Sequence, residues 1–223
     1  MQITEITLGM VSAYLVHNEQ SAILVDTGMP GHGNKILAKI ASLAIKPEAV
    51  KLIVITHSHQ DHIGGVHELR EQIVAPVAIQ KEAAPYIQEG KSAPVVPQSG
   101  LGRLLVKMTG AGKDKEIIPP LYPGIVVEDS YDLQELGFDG QLLHTPGHTP
   151  GAMSLYLPEL KAACIGDLLM RGMFIFGRAG LPKIADSLET VKTSLKKLLD
   201  LDIEMFYASH GGAIPRQDVE KLI

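Results

Sequence analysis

Short apolar runs separated by turn residues set the rhythm of this chain. Ala22-Ile23-Leu24-Val25 and Lys51-Leu52-Ile53-Val54-Ile55-Thr56 are typical. Runs of this length read as buried strands rather than helices. The pattern predicts strands near 3–8, 11–16, 21–26, 51–56, 74–79, 125–128, 138–144, 152–157, 161–166 and 204–208. Helical spacing appears near 33–43, 64–72, 81–89, 187–200 and 215–222. Many short strands with helices between them suit a layered α/β sandwich. No linker splits the chain, so residues 1–223 read as a single domain.

One stretch breaks the rhythm. Residues 91–124 are rich in Pro and Gly and hold an amphipathic patch, Leu101-Gly102-Arg103-Leu104-Leu105-Val106-Lys107-Met108. A long loop inside a compact domain is usually functional. We expect a substrate lid or a homodimer contact here. The apolar side chains Val95, Val96, Leu101, Leu104, Leu105 and Met108 favour a hydrophobic substrate or a partner subunit.

Composition narrows the function classes. Hydrophobic residues make up 45% and charged residues 20% of the chain, ordinary for a globular protein. Net charge is −5, with no Lys/Arg cluster and no Trp, so no nucleic-acid partner is expected. No apolar stretch approaches the roughly 20 residues that span a bilayer. The start, Met1-Gln2-Ile3-Thr4-Glu5, lacks the basic and apolar regions of a secretory signal. We therefore expect no membrane partner. A single cysteine, Cys164, excludes an internal disulfide, and the expected location is cytoplasmic. Cys164 sits inside a predicted strand and reads as a small buried hydrophobe.

The chemistry is concentrated in Thr56-His57-Ser58-His59-Gln60-Asp61-His62. Imidazole and carboxylate are the ligands that zinc-type ions prefer. A polar surface loop with three accidental histidines is the plainer alternative. The chain has only nine His, however, and three of them fall in this run at the end of an apolar strand. A strand-to-helix loop lets a rigid scaffold aim several side chains at one point. Four ligands so close together suit two adjacent ions, His57 and His59 on one, Asp61 and His62 on the other.

Further ligands come in order along the chain. Leu142-Leu143-His144-Thr145-Pro146-Gly147-His148-Thr149-Pro150-Gly151 places two His in a Pro/Gly turn after a strand. Ala163-Cys164-Ile165-Gly166-Asp167 ends an apolar run on a carboxylate, and Met205-Phe206-Tyr207-Ala208-Ser209-His210 ends one on a His. Singly, His144 or His148 could be a turn residue, Asp167 a helix cap and His210 a loop histidine. Their shared placement just after predicted strands favours ligands.

These motifs, with Asp26-Thr27-Gly28 after the strand-like 22–25, resemble the metallo-β-lactamase superfamily of metal-dependent hydrolases. The resemblance runs from about residue 10 to 212. It implies an αββα sandwich, two packed β-sheets flanked by helices, with the ligands on loops along one edge. It implies that His57, His59 and His148 hold one metal, that Asp61, His62 and His210 hold a second, and that Asp167 bridges them. Two divalent ions are expected, zinc first, with iron or manganese as alternatives. Asp26 resembles the family's supporting carboxylate, which orients ligands without touching metal.

The implied function is a dinuclear metal-dependent hydrolase acting on a small molecule. A metal-bound hydroxide would attack an ester, lactone or thioester carbonyl. Asp61 would be catalytic, orienting the nucleophile or moving its proton. No Ser-centred GxSxG elbow is present. The subfamily stays open. Glyoxalase II-type thioesterases share the motifs but add a helical domain after the last His, and here only residues 211–223 follow His210. Lactonases of the family often carry a Tyr soon after the bridging Asp, whereas Leu168-Leu169-Met170 follows Asp167. Two other readings remain. One is a mononuclear iron persulfide dioxygenase using His57, His148 and Asp167. The other is a non-catalytic member of the fold that binds a small ligand.

Overall fold

The computed structural model describes residues 1–109, 118–172 and 177–223. The first sheet runs in the order β1 (Gln2–Thr7), β2 (Ser12–His17), β3 (Ala22–Val25), β4 (Val50–Val54), β5 (Val77–Gln80) and β6 (Ile125–Val127). Its first three strands form an antiparallel meander, and β3 through β6 run parallel. The second sheet is ordered β13 (Gly212–Pro215), β12 (Met205–His210), β10 (Ala162–Arg171), β9 (Met153–Leu157), β8 (Gln141–His144) and β7 (Ser130–Asp132). A short β11 (Ala179–Gly180) pairs with β10.

Helices α1 (Gly33–Ser42), α3 (Val66–Arg70) and α4 (Ala84–Gln88) cover the first sheet, and α6 (Leu188–Leu199) and α7 (Arg216–Glu220) cover the second. The remaining helices, α2 (Gln60–Ile63) and α5 (Gly100–Thr109), belong to the candidate site and its surroundings.

Alternation along the strands explains the layers. In β3, Ala22 and Leu24 pack toward the outer helices, while Ile23 and Val25 pack toward the second sheet. Both faces are buried, so the run is apolar without interruption. Burial of each such aliphatic side chain stabilises by about 1.5–3 kcal/mol. Tyr14, Leu52, Phe138, Leu155 and Cys164 fill the space between the sheets. Cys164 is buried there as expected, and burial pushes its thiol pKa up. Helix α6 buries Val191, Ser194, Leu195 and Leu198, one apolar stripe, and Ser187 caps it by accepting from Thr190 N at 3.1 Å.

The elements depart from the sequence pattern in instructive places. The helix expected at 64–72 is the shorter α3, Val66–Arg70, and Gly64-Gly65 separate it from α2, which holds part of the ligand run itself. A side chain at Gly64 would meet the Pro30 backbone, and one at Gly65 would meet Thr27 O, so the loop after β3 presses on this junction. The strand expected at 161–166 continues to Arg171. Strands β7 and β13 carry too few apolar residues to stand out in the pattern. The 91–124 segment is a loop leading into α5, and its residues 110–117 lie outside the described residues.

Candidate metal centre

All ligand candidates lie along one edge, where β3, β4, β8, β10 and β12 end or break. His57, His59, Asp61 and His62 follow β4, the first two in the loop and the last two in α2. His148 lies in the turn after β8, and His210 is the last residue of β12. Asp167 sits inside β10, where the pairing with β12 shifts register between Cys164 and Gly166. Gly166 has φ +54°, and a side chain there would meet the Thr56 side chain. This bulge turns the Asp167 carboxylate toward the cluster. His210 is followed by Gly211 at φ +104°, packed on Arg171 O, which allows β12 to turn at once into β13.

The structure brings the seven residues into one site. His57 Nε2 and His148 Nε2 each lie 3.0 Å from His59 Nδ1. Asp61 Oδ2 is 3.3 Å from His210 Nε2, and Asp61 Oδ1 is 3.7 Å from His62 Nε2. Asp167 reaches both sets: its Oδ2 is 3.5 Å from His148 Nε2 and 3.4 Å from His210 Nε2, and its Oδ1 is 3.6 Å from His62 Nε2. His144, the other turn histidine, points elsewhere and donates to Pro150 O at 2.8 Å.

The outward ring nitrogens are all tied. His62 Nδ1 donates to Asp26 Oδ2 at 2.8 Å, and His210 Nδ1 to Met10 O at 2.7 Å. His148 Nδ1 donates to Ile184 O at 2.8 Å, and His59 Nε2 to Pro94 O at 3.3 Å. Thr56 Oγ1 donates to Asp26 Oδ2, so it accepts from His57 Nδ1 at 3.1 Å. Each inward nitrogen is thereby the one free to bind an ion. Asp26 is a hub: it also accepts from Thr56 N at 2.8 Å and Ser209 Oγ at 3.1 Å, joining the two sheets beneath the site.

Protonation divides the site. Burial, and then the neighbouring histidines, push His57 well below its ordinary value, and burial lowers His59 as well. Burial takes His148 down to about 3. Burial also opposes charge on His62 and His210, but Asp26, Asp167 and Asp61 overcome it at His62, and Asp167 and Asp61 at His210, so both lie well above the ordinary value. The same pairing holds the Asp61 and Asp167 carboxyls low despite burial.

The residues fit a metal. His62 Nε2 and Asp167 Oδ1 are buried, face each other, and have no hydrogen-bond partner among the described residues. Such orphaned buried groups are costly unless something unseen satisfies them. The set of imidazole and carboxylate donors is the chemistry of a zinc-type ion. Sequence reasoning missed Thr56, Ser209 and the carbonyls of Met10, Pro94 and Ile184. The hydroxyls had a weak signal in lying beside ligands; backbone carbonyls have none.

The fold and this cluster define a metal-dependent hydrolase. The chain belongs to the metallo-beta-lactamase superfamily, whose family model matches residues 6–210. It is 26% identical to the "Probable metallo-hydrolase YflN" of Bacillus subtilis, over 92% of this chain and 82% of that protein. It is also 26% identical to the hydroxyacylglutathione hydrolase GloC of Haemophilus influenzae, over 87% of this chain and 82% of that protein. An archaeal superfamily protein from Sulfolobus tokodaii shares the fold, with TM-score 0.68 and 22% identity over 98% of this chain and 83% of that one. Among the described residues, no helix is long and apolar enough to cross a membrane.

Proposed function

We propose that the protein is a dinuclear thioester or ester hydrolase. His57, His59 and His148 would hold one divalent ion and Asp61, His62 and His210 a second, with Asp167 shared, and zinc is the metal this donor set favours. The observation that carries this reading is the facing pair of unpartnered buried atoms, His62 Nε2 and Asp167 Oδ1, ringed by further inward donors. When bound, the ions supply Lewis acidity and lower the pKa of water to near neutrality.

The chain's own groups do the rest. Asp61 is the most exposed of the three site carboxylates, with about a third of its side chain accessible. His62 and His210 keep it ionised, so it can accept a hydrogen bond from the attacking water and orient it. Asp167 holds the two ligand sets at a fixed separation. Asp26 holds the His62 ring in place. The similarity to a hydroxyacylglutathione hydrolase supports a thioester among the carbonyl substrates. The apolar side chains Leu101, Leu104 and Met108 of α5 are exposed and would contact the acyl part.

Elemental analysis of protein never exposed to chelator, with thioester, ester and lactone hydrolysis assays, tests the proposal. Two zinc ions per chain and thioester turnover are expected. One redox-active iron, with His62 and His210 dispensable, would instead mark a persulfide dioxygenase. Two ions with no turnover on any carbonyl substrate would favour the ligand-binding reading.

A further inference from the structure

A continuous belt of backbone links the two ligand loops around the outside of the first histidine set. It begins at the ligand loop, where Ala93 N donates to Ser58 O at 3.1 Å and His59 Nε2 donates to Pro94 O. The chain then pairs with residues 183–185. Ala185 N donates to Val96 O at 2.9 Å, Gln98 N donates to Lys183 O at 3.0 Å, and Pro97 and Ile184 form an antiparallel bridge. The Gln98 side chain adds a rung, its Nε2 donating to Ala185 O at 2.6 Å. Residues 184–187 then clasp the other ligand loop. Ile184 O accepts from His148 Nδ1, Asp186 N donates to His148 O at 3.0 Å, and Ser187 N donates to Gly147 O at 2.9 Å.

We infer that this belt is the positioning element of the first ion site and that Gln98 is its positioning residue. Two rungs depend on Gln98, one from its backbone and one from its side chain. The belt fixes which nitrogen of His59 and of His148 carries the proton, because both carbonyls accept only. It also fixes the spacing of the two rings before any ion arrives. No belt segment touches His62 or His210 among the described hydrogen bonds. The effect should therefore be confined to one ion. Helix α5 starts at Gly100, two residues after Gln98, and its Gly102 packs against Lys183 O, so the helix rests on the same belt. The inference rests on the two-ion reading for its metal readout, but its tautomer readout does not.

The test compares Gln98→Pro, which removes both rungs, with Gln98→Leu, which removes only the side-chain rung. Gln98 lies ahead of Gly100, the first helical residue, so proline there removes no helical hydrogen bond. Zinc titration against a competing chelator should show the first dissociation constant raised about tenfold in Gln98→Pro, the low end of what loss of a supporting partner costs. The rise should be smaller in Gln98→Leu, and the second constant should not change. Nitrogen-15 spectra of the metal-free protein should show single tautomers for His59 and His148 in the parent and mixed tautomers in Gln98→Pro. First-site affinity within twofold of the parent, with unchanged tautomers, would overturn the inference. Equal weakening of both ions together with a lowered Tm would also overturn it, assigning Gln98 to general stability. If the protein binds no zinc, the tautomer spectra alone decide.

Discussion

The two halves of the metal centre are built by opposite means. His57, His59 and His148 are neutral, and two of the three are held by backbone carbonyls of the belt. His62 and His210 stand among Asp26, Asp61 and Asp167 and hold protons in the absence of metal. The first half is therefore open for an ion at once. The second must release protons to receive one. The contrast teaches that shared ligand chemistry does not imply shared affinity: the surrounding carboxylates decide what an arriving ion has to displace.

Asp167 reaches His148 in one half and His62 and His210 in the other, so its loss should have the largest effect. Asp167→Ala should weaken both ions and lower kcat/KM by about 10⁴-fold, the scale seen when a catalytic unit is broken. Asp61→Ala should spare the first ion and lower activity less. Metal content and steady-state kinetics on both variants decide this. Near-normal turnover by Asp167→Ala would remove its place between the halves.

The protonation contrast gives a pH prediction. His62 and His210 have raised pKa values in the metal-free protein, so they stay protonated up to those values and an ion competes with protons. Affinity for the second ion should therefore fall as pH falls through that range, by about tenfold per unit for each proton displaced. His148 titrates at about 3, so protons do not compete there at neutral pH. Zinc titrations at pH 6, 7 and 8 should give one nearly flat and one steep constant. Two parallel slopes would erase the distinction.

Asp26 offers a sharper cut through the same contrast. Asp26→Asn keeps the shape but weakens the anchor of His62. We expect about 10- to 100-fold weaker binding of the second ion, the usual cost of losing a supporting partner. Asp26→Ala would also leave Thr56 and Ser209 donors unpaired and should cost about 3–5 kcal/mol of stability, measured by denaturant unfolding. Loss of the first ion in Asp26→Asn, with the second retained, would reverse the assignment of the halves.

How far the sequence reveals this differs between the halves and their frame. The αββα layering was legible because β3 and β4 are apolar on both faces, and a two-sided burial leaves an unbroken run. The seven candidate donors are legible because each falls at or just past an apolar run, and the structure gathers them at one edge; Asp26 is legible through its motif. The apolar run predicts Asp167 just after a strand, whereas the strand runs through it; the bulge at Gly166 that re-aims it depends on pairing with β12, which no local pattern records. The helix expected at 64–72 starts only at Val66, because the Thr27 and Pro30 backbone presses on Gly64 and Gly65, a tertiary effect. The belt was invisible. It is made of main-chain groups, and the one side chain that marks it, Gln98, looks like any surface glutamine.

The smallest expected effect concerns substrate rather than metal. Helix α5 rises from the belt on the side of the first histidine set, and Leu104 on it is half exposed. Met10, whose carbonyl accepts from His210, lies on the side of the second set with its side chain largely exposed. If the acyl part of the substrate lies along α5, Leu104→Ser should lower kcat/KM for a long-chain acyl thioester. Partial burial of one leucine is worth somewhat over 1 kcal/mol, so the loss should be about five- to tenfold. A short acetyl thioester should lose much less, because it cannot reach the helix. Met10→Ser should treat the two substrates alike, and neither variant should change metal content. The side chain of Leu105, expected to share this role, lies outside the described residues. Equal losses on both thioesters in Leu104→Ser, or dissociation of a homodimer by that substitution, would assign α5 to assembly and leave the acyl side of the centre to be found at Met10.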